Sequence, residues 1–292
     1  MEHKAIIERI DRALADFAGS SDLPDNLRGA IAYALLGGGK RLRPTLAWRC
    51  AEAVGGRGES SLPGGIAVEL IHAFSLVHDD LPALDDDDLR RGRPTLHRHA
   101  GEAMAILAGD AMLTLAYEAL WGAGEAIDPG LRIRLVRELG DGTRAMIAGQ
   151  VYDTLGGMPD GLDDRQRLEL IHRNKTGALI RAACRMGAVL GAGSASESDH
   201  LRAITRFADD LGLIFQIVDD VLDVTGSAET VGKATGKDAE AGKLTYPLVL
   251  GVEGSRREIE RLEADAEAAL APLGVAARPL LELSRAMAQR DR

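Results

Sequence analysis

The sequence predicts an all-α fold, a helix bundle running as one domain over residues 1–292, and three observations carry that prediction. Apolar residues recur three and four positions apart through almost the whole chain, which is the spacing of one helix face. Ala and Leu dominate while aromatic residues make up only 3%, which favours helices over strands built on β-branched and aromatic side chains. Strand-like alternation, an Asn-Gly hairpin and a βαβ rhythm are all missing.

The first element expected is the amphipathic stretch MEHKAIIERIDRALADF, whose scattered charges exclude a secretory signal. A break follows at Gly37-Gly38-Gly39. Ile66, Leu70, Ile71, Phe74 and Val77 then mark one helix, and Ile106, Leu107, Met112, Leu115 and Leu120 another. Further breaks are expected at 55–65, 122–130, 156–161, 191–198, 226–242 and 272–274, where glycines gather with prolines or serines. Leu211–Leu222 is apolar on most faces and should be central, with a Gly-rich polar loop after it at 225–245. Ser255 with Glu258 is expected to form a capping box that opens a helix running to Leu270. The pattern gives roughly ten helices, and uninterrupted apolar runs stay well below the roughly 18 residues that cross a bilayer. A soluble, cytoplasmic protein without membrane contact is expected. Cys50 and Cys184 form neither a disulfide framework nor a metal spacing and should be buried thiols in a reducing compartment.

Charge is where the sequence becomes specific. The formal net charge is −10, yet six aspartates crowd residues 79–88 and five more lie within 209–223. Setting those eleven aside leaves the rest of the chain at +1. The acidic balance argues against nucleic acid as a partner, because phosphate binding along a duplex needs a basic face.

Within Phe215–Asp223, a helix advancing about 100° per residue puts Asp219 and Asp223 within about 40° of each other. Asp220 neighbours Asp223 at i,i+3. A charge run is ordinarily a solvated face. Here Leu211, Leu213, Ile214, Ile217, Val218, Val221 and Leu222 surround the carboxylates, and buried carboxylates must be paired or hold metal. The other window, His78-Asp79-Asp80-Leu81-Pro82-Ala83-Leu84-Asp85, would put Asp85 about 120° from Asp79 in a straight helix. Pro82 ends or kinks that helix and can swing Asp85 back. Carboxylates grouped this way suit a hard cation such as Mg²⁺, which joins a few carboxylates to substrate phosphates.

Cations for those phosphates are also present. Lys40, Arg41 and Arg43 follow the glycine run, and Arg90, Arg91 and Arg93 follow the first acidic run. His172-Arg173-Asn174-Lys175-Thr176-Gly177 and the series Lys233, Lys237 and Lys243 come later. Each alone would be a surface patch. The glycine run is not a P-loop, since GxxxxGK[ST] is absent.

The combination resembles the trans-prenyltransferases, or isoprenyl diphosphate synthases, and among them the bacterial farnesyl diphosphate synthases. The segments that carry the resemblance are GGKRLRP (Gly38–Pro44), HDDLPALDDDDLRRGRPT (His78–Thr95), GDAMLTLAYE (Gly109–Glu118), GQVYD (Gly149–Asp153), KTGALIRAA (Lys175–Ala183), FQIVDDVLD (Phe215–Asp223) and GK…D…GKLTYP (Gly232–Pro247). They follow family order over nearly the whole chain.

The resemblance implies the isoprenoid synthase fold, an antiparallel bundle around a central cavity with the two Asp motifs facing each other at its mouth. It implies three Mg²⁺ ions, replaceable by Mn²⁺, on Asp79, Asp80 and Asp85 and on Asp219, Asp220 and Asp223. Arg90, Lys175 and Lys233 would bind the allylic diphosphate, and Gln216 and Lys243 would also bind substrate. Lys40, Arg43, His72 and Arg91 would bind isopentenyl diphosphate. Lys175, Thr176 and Gln216 would face the allylic cation, with Gln150 and Asp153 as site architecture. The implied reaction condenses isopentenyl diphosphate with dimethylallyl or geranyl diphosphate to farnesyl diphosphate and pyrophosphate, in a homodimer.

Phe74 and Ser75 precede Asp79 by five and four residues, about one helical turn or 5.4 Å deeper. A bulky residue there would act as a floor to chain growth, and Ser75 leaves room for a longer geranylgeranyl product. Relatives often carry an aromatic residue near a basic C-terminus, where this chain has Ala286 ahead of Arg290 and Arg292. Three other readings compete. A class I terpene cyclase has no need of a second diphosphate site, which Lys40, Arg43 and His72 would form. A His-Asp phosphohydrolase leaves the second acidic motif without a role. A non-catalytic prenyltransferase subunit would tend to lose Asp-motif residues, and none is lost here.

Overall fold

The most apolar helix, α4 (Leu62–Asp79), lies among three others: α3 (Leu42–Ala53), α6 (Glu102–Trp121) and α9 (Ala178–Ala192). The computed structural model describes residues 2–122, 127–225 and 244–289. Its remaining helices are α1 (His3–Ser20), α2 (Asp25–Leu35), α5 (Leu96–Ala100), α7 (Pro129–Thr154), α8 (Asp164–His172), α10 (Asp199–Thr225), α11 (Tyr246–Leu270) and α12 (Arg278–Ala288). Twelve α-helices among the described residues exceed the ten expected, because α5 and α8 are too short to show a period. The all-α class holds.

Local sequence explains each boundary. In α1, Ile6, Ile10, Leu14 and Ala18 recur at one-turn intervals and are all buried, so this helix lies on α2, α3 and α4. Asp128 caps α7 by accepting from the amides of Gly130 and Leu131. Asp163 and Gln166 close a reciprocal capping box at the start of α8. α10 packs on α9 and α11, and its second half shares an apolar cluster with Leu168, Tyr246, Ile259 and Leu262. The burial expected of Leu211–Leu222 is therefore seen, with Phe215 and Leu222 partly buried among its apolar residues. Cys50 and Cys184 are buried thiols.

Three expectations need correction. Leu89–Arg90 and Arg93–Pro94 form a two-stranded antiparallel ribbon, β1 and β2, too short for alternation to reveal. Ser255 caps nothing: it sits inside α11 and donates to the carbonyl of Gly251, where a positive φ of 70° kinks the helix. Gly251 is the break that the reading placed at Ser255. Finally, Gly58–Asp79 and Glu102–Trp121 are long and apolar enough to cross a membrane by length and composition. Counting only uninterrupted apolar runs hid this. For the first of them, burial supplies another reason for the apolarity, since 61% of its most apolar window lies inside the fold.

Candidate active site

α4 ends at Asp79 and the chain turns at once. The amide of Leu84 donates to the carbonyl of Leu81, and the amide of Asp85 returns to the carbonyl of Asp79 at 2.9 Å. Pro82 therefore produces the fold-back expected of it, and Asp85 sits beside Asp79. Burial pushes the Asp79 carboxyl up to about 6, with the charges of Asp85 and Asp80 adding to the rise and those of Lys175 and Arg90 opposing it. Asp80 has a different environment. It is buried, and Arg90 Nε lies 2.8 and 2.9 Å from its two oxygens, with Nη2 at 2.6 Å from Oδ1.

The second motif lies in the straight part of α10. Asp219 and Asp223 are half-buried one turn apart, while Asp220 is buried. Asp220 Oδ2 accepts the amide of Tyr246 at 2.9 Å and lies 3.6 Å from Nε2 of His172. The His172 ring stacks on Tyr246 with centroids 5.6 Å apart. So the second aspartate of each pair joins secondary elements together.

Between the motifs runs a π-helical turn, Arg173–Gly177, joining α8 to α9. Its Lys175 Nζ is 2.6 Å from Asp153 Oδ2 on α7. Thr176 donates its hydroxyl to Gln216 Oε1 on α10 at 2.9 Å. Two glycines allow these approaches. A Cβ at Gly149 would fall 2.1 Å from the Lys175 nitrogen, and one at Gly212 would fall 2.7 Å from Cα of Gly177. The expected grouping of Lys175, Thr176, Gln216 and Asp153 is thus present. Gln150 donates to Thr154 on its own helix instead.

A cationic cluster surrounds His72, seven residues before Asp79 and so on nearly the same face of α4. Burial and the charges of Arg43, Arg91, Arg90 and Arg41 together hold the His72 imidazole well below its ordinary value. Arg43 has a buried Nε without a hydrogen-bond partner among the described residues. Arg91, exposed at the ribbon's turn, donates to the carbonyl of Gly38. Lys40 is exposed on the same glycine run. Arg41, which the sequence left without a separate role, is buried and paired with Asp11 at 2.6 Å and Glu69 at 2.8 Å. Glu69 was the available signal, a lone acid within an apolar helix. Phe74 is buried and meets the ring of His78 edge-on at 5.2 Å, and Ser75 bonds back to the carbonyl of His72. Lys233 and Lys243, the loop expected at 225–245 beyond Thr225 and before Leu244, and Arg290 and Arg292 lie outside the described residues.

Among the described residues, no three Asp, Glu, His or Cys side chains converge closely enough to hold a metal by themselves. The arrangement instead offers carboxylate oxygens at the end of α4 and on α10, with Lys175 and Arg90 acting on the first of them. That suits a ligand bringing its own oxygens, such as a metal-bound diphosphate.

Comparison with known proteins gives a consistent result. The sequence model of the polyprenyl synthetase family matches residues 24–270. Geranylgeranyl pyrophosphate synthase 7 of Arabidopsis thaliana is 45% identical over 280 residues, covering 94% of this chain and 80% of its own. The FPP/GFPP synthase of Zymomonas mobilis superposes with a TM-score of 0.84 at 33% identity, covering 98% of both chains. The geranylgeranyl pyrophosphate synthetase of Pyrococcus horikoshii gives 0.86 at 27% identity, again over 98% of both.

Proposed function

We propose that this chain, which belongs to the polyprenyl synthetase family, condenses isopentenyl diphosphate with a short allylic diphosphate and stops at the farnesyl product. The observation that carries the reading is the arginine crowding at His72. Arg90 and Arg41 are answered by Asp80 and Glu69, but Arg43 keeps a buried unpartnered Nε and Arg91 sits near like charges. The acid whose charge acts on Arg43 and Arg91 is Glu69, already paired with Arg41. A second diphosphate would supply the missing negative charge. Two diphosphate sites are what a condensation requires and a cyclisation does not.

On this reading Asp79 and Asp85 hold Mg²⁺ on one side and Asp219 and Asp223 on the other. The donor set fits, because carboxylate oxygens are hard ligands and the fold-back sets Asp85 beside Asp79. Mg²⁺ bound there would neutralise the departing pyrophosphate. The chain's own residues do the rest. Asp80 fixes the Arg90 guanidinium, and Asp153 fixes the Lys175 ammonium, so both cations are preorganised beside the leaving group. Thr176 donates a hydrogen bond to Gln216, which leaves the lone pairs of its own oxygen available as partial negative charge toward an allylic cation. His72 is neutral until an anion arrives, and bound diphosphate would raise its proton affinity. Phe74 blocks growth one turn below Asp79.

A geranylgeranyl product is the second reading, favoured by the 45% identity to a synthase of that name. Ile106 and Leu107 on α6 with Ile147 and Val151 on α7 are exposed, which supports a homodimer through that face, to be checked by sedimentation. The decisive assay supplies Mg²⁺ and labelled isopentenyl diphosphate with dimethylallyl, geranyl or farnesyl diphosphate in turn. Chain extension ending at farnesyl is expected. No extension with any primer overturns the reading, and efficient use of the farnesyl primer selects the longer product.

A further inference from the structure

The site described above uses Arg90 and Arg91 but leaves Arg93, the third arginine of the same run, without a part. Arg93 pairs across the ribbon with Arg90, and like charges directly opposite each other destabilise a two-stranded pair. The conflict is resolved by drawing the two cations apart. Arg90 goes to Asp80, while the Arg93 guanidinium lies over the ring of Tyr33 on α2, 4.1 Å from its centroid. His99 stacks on the same ring at 4.0 Å with an interplanar angle of 6°. Two groups centred this close to one centroid must occupy opposite faces, so Tyr33 is sandwiched. Its hydroxyl also donates to the carbonyl of Pro94 at 2.8 Å. One side chain therefore holds both residues of β2.

What the ribbon presents is Arg91. The two residues of its turn, Arg91 and Gly92, have φ of 54° and 73°. Positive φ at both central positions defines the type I′ hairpin turn. Glycine accepts that conformation readily, whereas arginine does so only when its flanks are held in place. Asp80 holds one flank through Arg90, and Tyr33 holds the other through Arg93 and Pro94.

We propose that Tyr33 is a positioning residue for the isopentenyl diphosphate site, acting through β2 to hold Arg91 in its left-handed turn beside His72 and Arg43. The inference rests on the condensation reading above. Because Arg90 is anchored separately by Asp80, loss of Tyr33 should weaken one substrate and spare the other.

The test is steady-state kinetics with each substrate varied in turn. In Tyr33→Ala the KM for isopentenyl diphosphate should rise about tenfold, equivalent to about 1.4 kcal/mol, with a much smaller change in the allylic KM and no change in product length. Tyr33→Phe keeps the sandwich and loses only the Pro94 hydrogen bond, so it should recover most of the affinity. Arg93→Gln leaves α2 untouched and should reproduce the defect if Tyr33→Ala does not fold. Equal rises in both KM values, or a fall in kcat with both KM values unchanged, would overturn the proposal. An inactive wild-type protein would instead remove the condensation reading itself.

Discussion

At the end of α4 the chain breaks at Asp79 and folds Asp85 back onto it, whereas in α10 the helix runs straight through Asp219 to Asp223. One pair of carboxylates is made by a proline-containing turn and the other by helical periodicity. In both, the second aspartate of the Asp-Asp pair is buried: Asp80 is 2% exposed and Asp220 8%. The partners differ in kind. Asp80 neutralises a guanidinium, while Asp220 accepts a backbone amide beside a histidine. On the proposed reading each Asp-Asp pair divides into one carboxylate for the ligand and one for the frame, and the frame is a guanidinium pair in the first motif and a backbone hydrogen bond in the second.

The largest effect should come from the aspartates assigned to the ligand. Asp79→Ala or Asp219→Ala should each reduce turnover on the order of 10³-fold, as removing a preorganised electrostatic contact to a developing charge does, while the thermal transition stays near wild type. Near-normal activity in either variant would break the equivalence of the two motifs.

The frame aspartates test the difference between them. Asp80→Asn leaves Arg90 without its counter-charge in a mostly buried place. Breaking such a pair costs about 3 kcal/mol when both groups are deeply buried, and less here because Arg90 keeps some contact with water. Asp220→Asn retains an oxygen for the Tyr246 amide and should cost about 1 kcal/mol or less. Urea unfolding of the two variants measures the gap, and equal losses would show that both frames depend on charge.

A pH experiment isolates the buried carboxyl of the first motif. The Asp79 carboxyl is raised to about 6, above the ordinary carboxylate value, so the folded state takes up its proton more readily than the unfolded state. Its contribution to the stability of the metal-free protein is therefore greatest below the unfolded value, near pH 4, and is lost as pH rises through 6. Protons compete with metal in the same range, and Mg²⁺ affinity at this motif should fall by up to about tenfold per pH unit below 6. Asp210 also titrates at about 6, beside Asp265 and Asp209, so the thermal profile alone is ambiguous. Titration calorimetry with Mg²⁺ at pH 5, 6 and 7, compared with Asp79→Asn, separates them. An identical pH dependence in the variant would remove Asp79 as the cause.

Both motifs were legible in the sequence because each depends on a local rule, the helical period in one and the disrupted amide of Pro82 in the other. The frame was not. Asp220 meets Tyr246 26 residues away, and no spacing announces such a contact. The π-helical turn that brings Lys175 to Asp153 has no pattern of its own, though Gly149 and Gly212 mark where backbones must nearly touch. Composition and spacing do not distinguish Arg41 from Arg43, and the resemblance singled out Arg43 alone. The fold adds what Arg41 does, pairing with Asp11 and Glu69. The ribbon carrying Arg91 has two residues per strand, too few for any period to register.

The smallest effect on rate, and the sharpest on outcome, should come from one turn below the metal level. There the two motifs are offset by one residue: Phe74 and Ser75 precede Asp79 by five and four positions, and Phe215 and Gln216 precede Asp219 by four and three. Gln216 is engaged with Thr176, so Phe215 has a polar neighbour fixed for the chemistry. Ser75 is tied to its own helix through the His72 carbonyl, and Phe74 is set against His78, whose Nε2 lies 3.1 Å from the carbonyl of Ile106 on α6. On the proposed reading Phe74 would therefore be the more firmly held of the two rings. Phe74→Ala removes that ring with Asp79, Asp80 and Asp85 still in place, so turnover should change little while the share of geranylgeranyl or longer product rises about tenfold. Chromatography of dephosphorylated products reads this directly. Unchanged chain lengths would move the floor to the α10 side, with Phe215→Ala as the variant that should then lengthen the product.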